Sequence, residues 1–371
     1  MTSPNPEGGT LEPVVATPAP VAVPPESVTG PISLSRRLRQ PRTIVSILVP
    51  VLVIVTFVYL NRQQLGTVPG LVLGANPVLI LAAFGIYYLG FPLRGWRWAR
   101  LLRGTGTVVS TRDATEIVFL SWLVNCVVPA KLGDVYRAYL LKINSTASLT
   151  RTLGTVFIER ILDLLVIAIL GLGAGYWSFR TGLPPSIQVV AIVGVVVVVV
   201  LAALLLTMRN FGRSILARLP LPKRLEARIL DFYDRFEEGV FGAVGSRALP
   251  LLVVVTVLIW GTESLRLFLV VRALAFPGVD LGLSGAVFVA LIGSLLTAVP
   301  LSPAGLGIVE AGVVGVLTAG YGVPLPEATA IALLDRVISV FSIIVFGTIV
   351  YLLSSKPGGA SAAATRPATV A

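Results

Sequence analysis

From Thr181 to Met208 the chain carries no charged side chain, and this stretch includes the valine run Val195 to Val200. A helix crosses the hydrocarbon core with about 20 apolar residues, so the segment can pass through a bilayer and has no plausible place on the outside of a soluble domain. The remaining composition agrees: 55% of residues are hydrophobic and only 13% are charged. The expected fold is an all-α polytopic membrane protein, because helices and closed barrels alone satisfy their own backbone in lipid.

The composition also removes chemistry. Histidine is absent and Cys126 is the only cysteine, which leaves no disulfide, thiolate metal site or imidazole relay, so neither a metal nor a cofactor is expected. The net charge of +11 fits basic residues held beside anionic lipid, and nucleic acid is not expected as a partner.

Residues 1–35 are Pro-rich and read as a disordered cytoplasmic tail, and 357–371 as a second one. Between them, 36–356 form one transmembrane domain. Hydropathy places full spans at about 43–60, 76–93, 154–178, 187–208, 248–272 and 328–353. The arginines of RGWRWARLLR, from Arg94, mark the cytoplasmic end of the second span, with Trp96 and Trp98 suited to the interface. The basic stretch 209–247 reads as a cytoplasmic loop holding an amphipathic helix from Lys223 to Val240.

Two stretches fit no span. Around 114–148 the apolar run ends at Pro129 and Lys131, and around 284–322 it is broken at Pro300, Ser302 and Pro303. Each reads as a broken hairpin that enters and leaves on one side, giving about six full spans plus two re-entrant hairpins. With this assignment only Arg62, Arg180 and Arg272 of the 29 Lys and Arg lie outside, and only Arg160, Arg266 and Arg336 lie within spans. Both termini are then cytoplasmic, in the cell membrane. The halves, about 43–180 and 187–353, begin on opposite sides, which makes an inverted-topology repeat of the kind transporters use.

The charges repeat with the topology. Asp134 precedes Arg160, and Glu310 precedes Arg336, by the same 26 residues. On one helix Glu159, Arg160 and Asp163 fall at about 0°, 100° and 40°, a shared face, and Asp335, Arg336 and Ser339 take matching positions. A charge at such depth must face protein, water or a polar ligand. The bland reading is an internal salt bridge, Asp134 with Arg160 and Glu310 with Arg336, and such a bridge can also serve as a gate. Glu263 and Arg266 read as a plain intrahelical pair.

In the first hairpin Pro129 ends the inbound arm near Asn125, Gly133 permits the turn, Asp134 caps the outbound arm, and Lys131 and Arg137 supply mobile cations. In the second, Ser302 and Pro303 read as an N-cap and first helical residue, and Gly305 and Gly307 allow close backbone approach. Helix starts buried in this way offer free N–H groups to phosphate or carboxylate, so the expected cargo is an anionic headgroup. The alternative is that the glycines serve helix packing alone.

At these residues the chain resembles the flippase-like family related to the transmembrane region of lysylphosphatidylglycerol synthases. The matching pieces are RGWRWARLL, N-x-x-x-P-x-K-x-G-D-x-x-R-A from Asn125 to Ala138, Glu159-Arg160-x-x-Asp163, P-x-S-P-x-G-x-G-x-x-E from Pro300 to Glu310, and Asp335-Arg336. The resemblance implies movement of a lipid with a charged, anionic or zwitterionic headgroup between leaflets. Only a short tail follows Leu353, so aminoacyl transfer is not carried over and a non-enzymatic transporter is expected. The competing expectation is a membrane enzyme or accessory factor acting on polyprenyl-phosphate or phospholipid, with Asp134 or Glu310 as general base. A homo-oligomer or a partner enzyme is left open.

Overall fold

The computed structural model describes residues 66–128, 131–179, 211–218, 222–243, 248–297 and 302–358, with isolated positions between 59 and 208. The spans expected at 43–60 and 187–208 fall almost wholly outside the described residues, as do both tails and Pro129. What is described is helical throughout. In chain order the helices are α1 (Val68–Leu73), α2 (Pro77–Gly104), α3 (Thr111–Val127), α4 (Gly133–Asn144), α5 (Leu149–Ser178), α6 (Lys223–Ala243), α7 (Leu249–Leu274), α8 (Gly282–Leu296), α9 (Ile308–Tyr321), α10 (Leu325–Arg336) and α11 (Ser342–Leu353). A π-helical turn, Val337–Phe341, joins α10 to α11 without a break.

Local sequence sets the starts. Asn76 accepts from the N–H groups of Val78 and Leu79 at 2.9 and 3.3 Å with Pro77 behind it, and Ser110 accepts from Asp113 N–H at 3.0 Å. Among the described residues four helical stretches are long and apolar enough to cross a membrane: Pro77–Gly104, Leu249–Leu274, Pro303–Tyr321 and Leu325–Leu353. The protein is therefore a multi-pass membrane protein.

The packing is reciprocal. α2 and α7 lie against each other at the centre, α3 leans on α2, and α8 leans on α7. The second arm of each hairpin packs on the helix that follows it, α4 on α5 and α9 on α10. The first arms cross over, so that α8 meets α5 and α3 meets α11. Leu120, Leu140, Val270, Ile331, Ile338 and Ile343 are all closed off from solvent where these elements join. Dispersion at close contact stabilises such a core, since lipid offers no hydrophobic incentive to associate.

The polar helix α6, which begins and ends close to the expected bounds, packs on α5 through glycine. A Cβ on Gly239 would run into the Arg151 carbonyl, and one on Gly154 into the Phe236 carbonyl, so the two backbones touch directly. At the other end of the chain Lys356 Nζ sits 2.6 Å from Asp113, and the Lys356 carbonyl accepts from Asn144 Nδ2 at 2.8 Å. Hydrogen bonds from Lys356 and Ser110 hold the Asp113 carboxyl below the usual carboxylate range. The stability this gives is present above that range and is lost as pH falls through the lowered value. Because Asp113 is partly exposed, Lys356→Ala should cost less than about 1 kcal/mol in a melting experiment at neutral pH, and nothing at a pH where Asp113 is protonated.

Candidate functional site

Both expected hairpins are broken where the prolines and glycines cluster, though the details differ from expectation. In the first, the left-handed residue is Lys131, at φ +51°, and Gly133 is the first residue of α4. Gly133 is needed for space, because a Cβ there would collide with the Ser121 carbonyl and the Asn125 side chain. Its N–H donates to Asn125 Oδ1 at 2.9 Å, tying the two arms together. Asp134 does not cap α4; its carboxylate is turned toward α5.

In the second hairpin Ser302 and Pro303 open only a three-residue 3-10 turn, Pro303–Gly305. Ser302 donates to the Leu306 carbonyl at 2.8 Å and is not the cap of α9. That helix starts at Ile308, after Gly307 at φ +84°, and Glu310 accepts from Gly307 N–H at 2.7 Å. A carboxylate of the chain itself therefore occupies part of the anion seat expected at this helix start. Ala304 and Gly305 are left-handed, at φ +50° and +69°.

The equal spacings correspond to equal contacts. Arg160 clasps Asp134 through Nε and Nη2 at 2.9 and 2.7 Å. Arg336 donates from Nε to Glu310 at 2.7 Å and from Nη2 to the Ala304 carbonyl at 2.8 Å, so it also holds the second break. Behind the first pair, Arg137 grips both oxygens of Glu159 at 3.2 and 2.9 Å and lies over the Trp98 ring. Arg137 is fixed and buried, not a mobile cation.

Arg94 and Arg97 were missed as site residues. In the arginine-rich end of the second span Arg94, Arg97 and Trp98 are buried inside the protein, while Arg103, near the end of α2, is exposed. Arg97 donates to both Asp163 oxygens at 2.6 and 3.1 Å and to Thr256 Oγ1 at 2.9 Å, and lies 3.1 Å from Glu159. Arg94 reaches Glu263 at 2.6 Å. Glu263 does pair with Arg266 one turn away, but the pair is not isolated, since Arg266 also bridges to Asp335 at 2.8 and 3.1 Å. Each half thus fixes its charges in a cross-helix network, which is how buried ions are tolerated.

These networks surround a cavity of about 200 Å³. Of the expected residues, Asn125, Lys131, Arg160, Asp163, Ser302, Gly305, Asp335 and Arg336 line it. Gly133, Asp134, Arg137, Glu159, Pro303, Gly307 and Glu310 are not on its wall, and several of them position the residues that are. The wall further includes Tyr87, Trp122, Trp260, Glu263 and Arg266, and an apolar side from Leu164, Ile167, Val289 and Val313. Trp260 donates from Nε1 to Asp163 at 3.1 Å. A single i,i+3 pair, Glu263 with Arg266, was the sequence signal that could have drawn α7 into the site. The lining thus offers contacts both to a charged group and to an apolar chain.

A profile of the lysylphosphatidylglycerol synthase TM region matches residues 43–347. A UPF0104 membrane protein of Methanocaldococcus jannaschii is 37% identical over 63% of this chain and 94% of its own length. Another from Methanothermobacter thermautotrophicus is 28% identical over 74% of this chain and 83% of its own. Glycosyltransferase AglD of Haloferax volcanii is 29% identical over 76% of this chain, but the match spans only 49% of that protein. With the matched region covering both hairpins and every charged residue of the cavity, the chain belongs to the lysylphosphatidylglycerol synthase transmembrane-region family.

Proposed function

We propose that this protein moves a lipid with a charged or phosphate-bearing headgroup between the leaflets of the cell membrane. The observation that carries this reading is a cavity walled by residues of both broken hairpins, with charged and apolar side chains on its lining, between helices able to cross a bilayer. A headgroup needs the charged wall, and its acyl or polyprenyl chain needs the apolar one. The reciprocal packing of α2–α5 and α7–α11 supports an inverted-topology repeat with two re-entrant hairpins, and the distribution of Lys and Arg supports cytoplasmic termini.

The two matched arginines are not equally covered. The Arg160 side chain is 32% exposed and that of Arg336 only 10%. In an alternating-access cycle the difference fits a state in which the first hairpin is more open than the second. Arg160 is then the gate whose bond to Asp134 must exchange for the headgroup. Arg160→Gln, in vesicles carrying a fluorescent anionic lipid, should slow transfer between leaflets about tenfold or more, since charged hydrogen bonds contribute about 1.5–3 kcal/mol. An unchanged rate in a well-folded preparation would remove Arg160 from the mechanism.

The relative named as a glycosyltransferase supports a second reading, chemistry on a polyprenyl-phosphate or phospholipid. Both oxygens of the candidate base Asp134 are taken up by Arg160, and those of Glu310 by Arg336 and Gly307 N–H, so neither carboxylate presents an unengaged oxygen to a substrate. Incubation with such lipids followed by mass spectrometry separates the readings: a new product supports the enzyme, and redistribution without a product supports the transporter.

A further inference from the structure

We propose that Lys131 is the residue that binds the phosphate of the transported lipid, and that it selects a monoanionic phosphodiester. The inference rests on the transport reading above and concerns the charge balance of the cavity. On its wall Arg160, Arg266 and Arg336 face Asp163, Glu263 and Asp335 in equal number. Behind the wall Arg94, Arg97 and Arg137 are matched by Asp134, Glu159 and Glu310. Every one of these arginines is bonded to a carboxylate, and the networks are electrically complete.

Lys131 is the exception. It lines the cavity and has neither a hydrogen bond nor an ion pair among the described residues. Its backbone is left-handed, an unfavourable conformation for a residue with a Cβ. Asn125 lines the same cavity and reaches the same turn. Its Oδ1 is committed to Gly133 N–H, which leaves its NH2 group as a second donor with no partner among the described residues.

One uncompensated positive charge and one amide donor fit a phosphodiester, which brings a single negative charge. A phosphomonoester carries about −1.5 to −2 near neutral pH and would overcharge the site. A zwitterionic headgroup would leave Lys131 uncompensated. At a partly buried site each unit of mismatch carries a cost. Phosphatidylglycerol and a polyprenyl phosphosugar both present this diester with no cation beside it, whereas phosphatidylcholine carries the same diester next to its own choline cation.

The purified full-length chain should be mixed with equal amounts of phosphatidylglycerol, phosphatidic acid, phosphatidylcholine and a polyprenyl phosphosugar, and the bound lipids read by native mass spectrometry. One or both phosphodiesters should be retained over the monoester and the zwitterion by about tenfold or more, and which of the two is retained identifies the source. Lys131→Gln should erase that preference and Lys131→Arg should keep most of it. Equal preference in Lys131→Gln overturns the proposal.

Acetylation of Lys131 by acetic anhydride, followed by peptide mass spectrometry, tests it without a variant. Phosphatidylglycerol or the phosphosugar should protect the amine and phosphatidylcholine should not; equal labelling in all three overturns the proposal. If the wild-type protein binds the phosphodiester with this selectivity but does not move it in vesicles, the transport reading fails and the role of Lys131 stands.

Discussion

Replacing Arg97 by alanine should destabilise the protein by about 3–5 kcal/mol, the usual penalty for removing one partner of a buried ion pair. Arg97 is 1% exposed and bonds to Asp163 on α5 and Thr256 on α7 while itself sitting on α2, so one side chain joins three helices. Glu159 would keep Arg137, but Asp163 would keep only Trp260 and a long contact to Arg160 at 3.4 Å. A buried carboxylate that has lost its two-pronged partner would then face the cavity. Lysine should not rescue the variant fully, because an ammonium cannot reproduce the two-pronged grip. Thermal melting in detergent reads the effect; an Arg97→Ala protein that melts with the wild type would show that the network is dispensable for stability.

Gly133→Ala should have the second largest effect. The added methyl runs into the Ser121 carbonyl and the Asn125 side chain, so α4 must back away from α3 and give up the Asn125 hydrogen bond. Overpacking of this kind costs about 1–3 kcal/mol. The functional loss should be larger than that figure suggests, since the same shift displaces Asp134 and frees Arg160. Gly85→Ala is the control: among the described residues nothing lies within 4 Å of its Cβ, and it should melt and transport like the wild type. If both variants behave alike, the close approach of the hairpin arms is not a requirement.

The two matched ion pairs were legible because their cause is local. A charge in an apolar run has few partners available, and the same separation in both halves pointed to Asp134 for Arg160 and Glu310 for Arg336. Arg94 and Arg97 were not legible in the same way. Hydropathy ends a span at its first cluster of charges, whereas α2 continues beyond the ~20 residues a bilayer requires and carries those charges into a packed interior. Nothing in the chain's order says that α7 lies there with Glu263 and Thr256 to receive them. The hairpin turn was placed correctly and attributed to the wrong residue. Glycine is the usual left-handed residue, but here the fold spends Gly133 on clearance and forces Lys131 into the rare conformation.

The glycine contact between α5 and α6 makes the polar helix an external pointer. With backbone against backbone at Gly154 and Gly239, α6 cannot slide over α5 on a cushion of side chains, so the two turn as one piece. The helix that carries Glu159, Arg160 and Asp163 can therefore be followed from a surface residue such as Phe232, 51% exposed on α6. A spin label or a binder placed at that position would register any movement of α5 in the proposed transport cycle without touching a residue on the cavity wall.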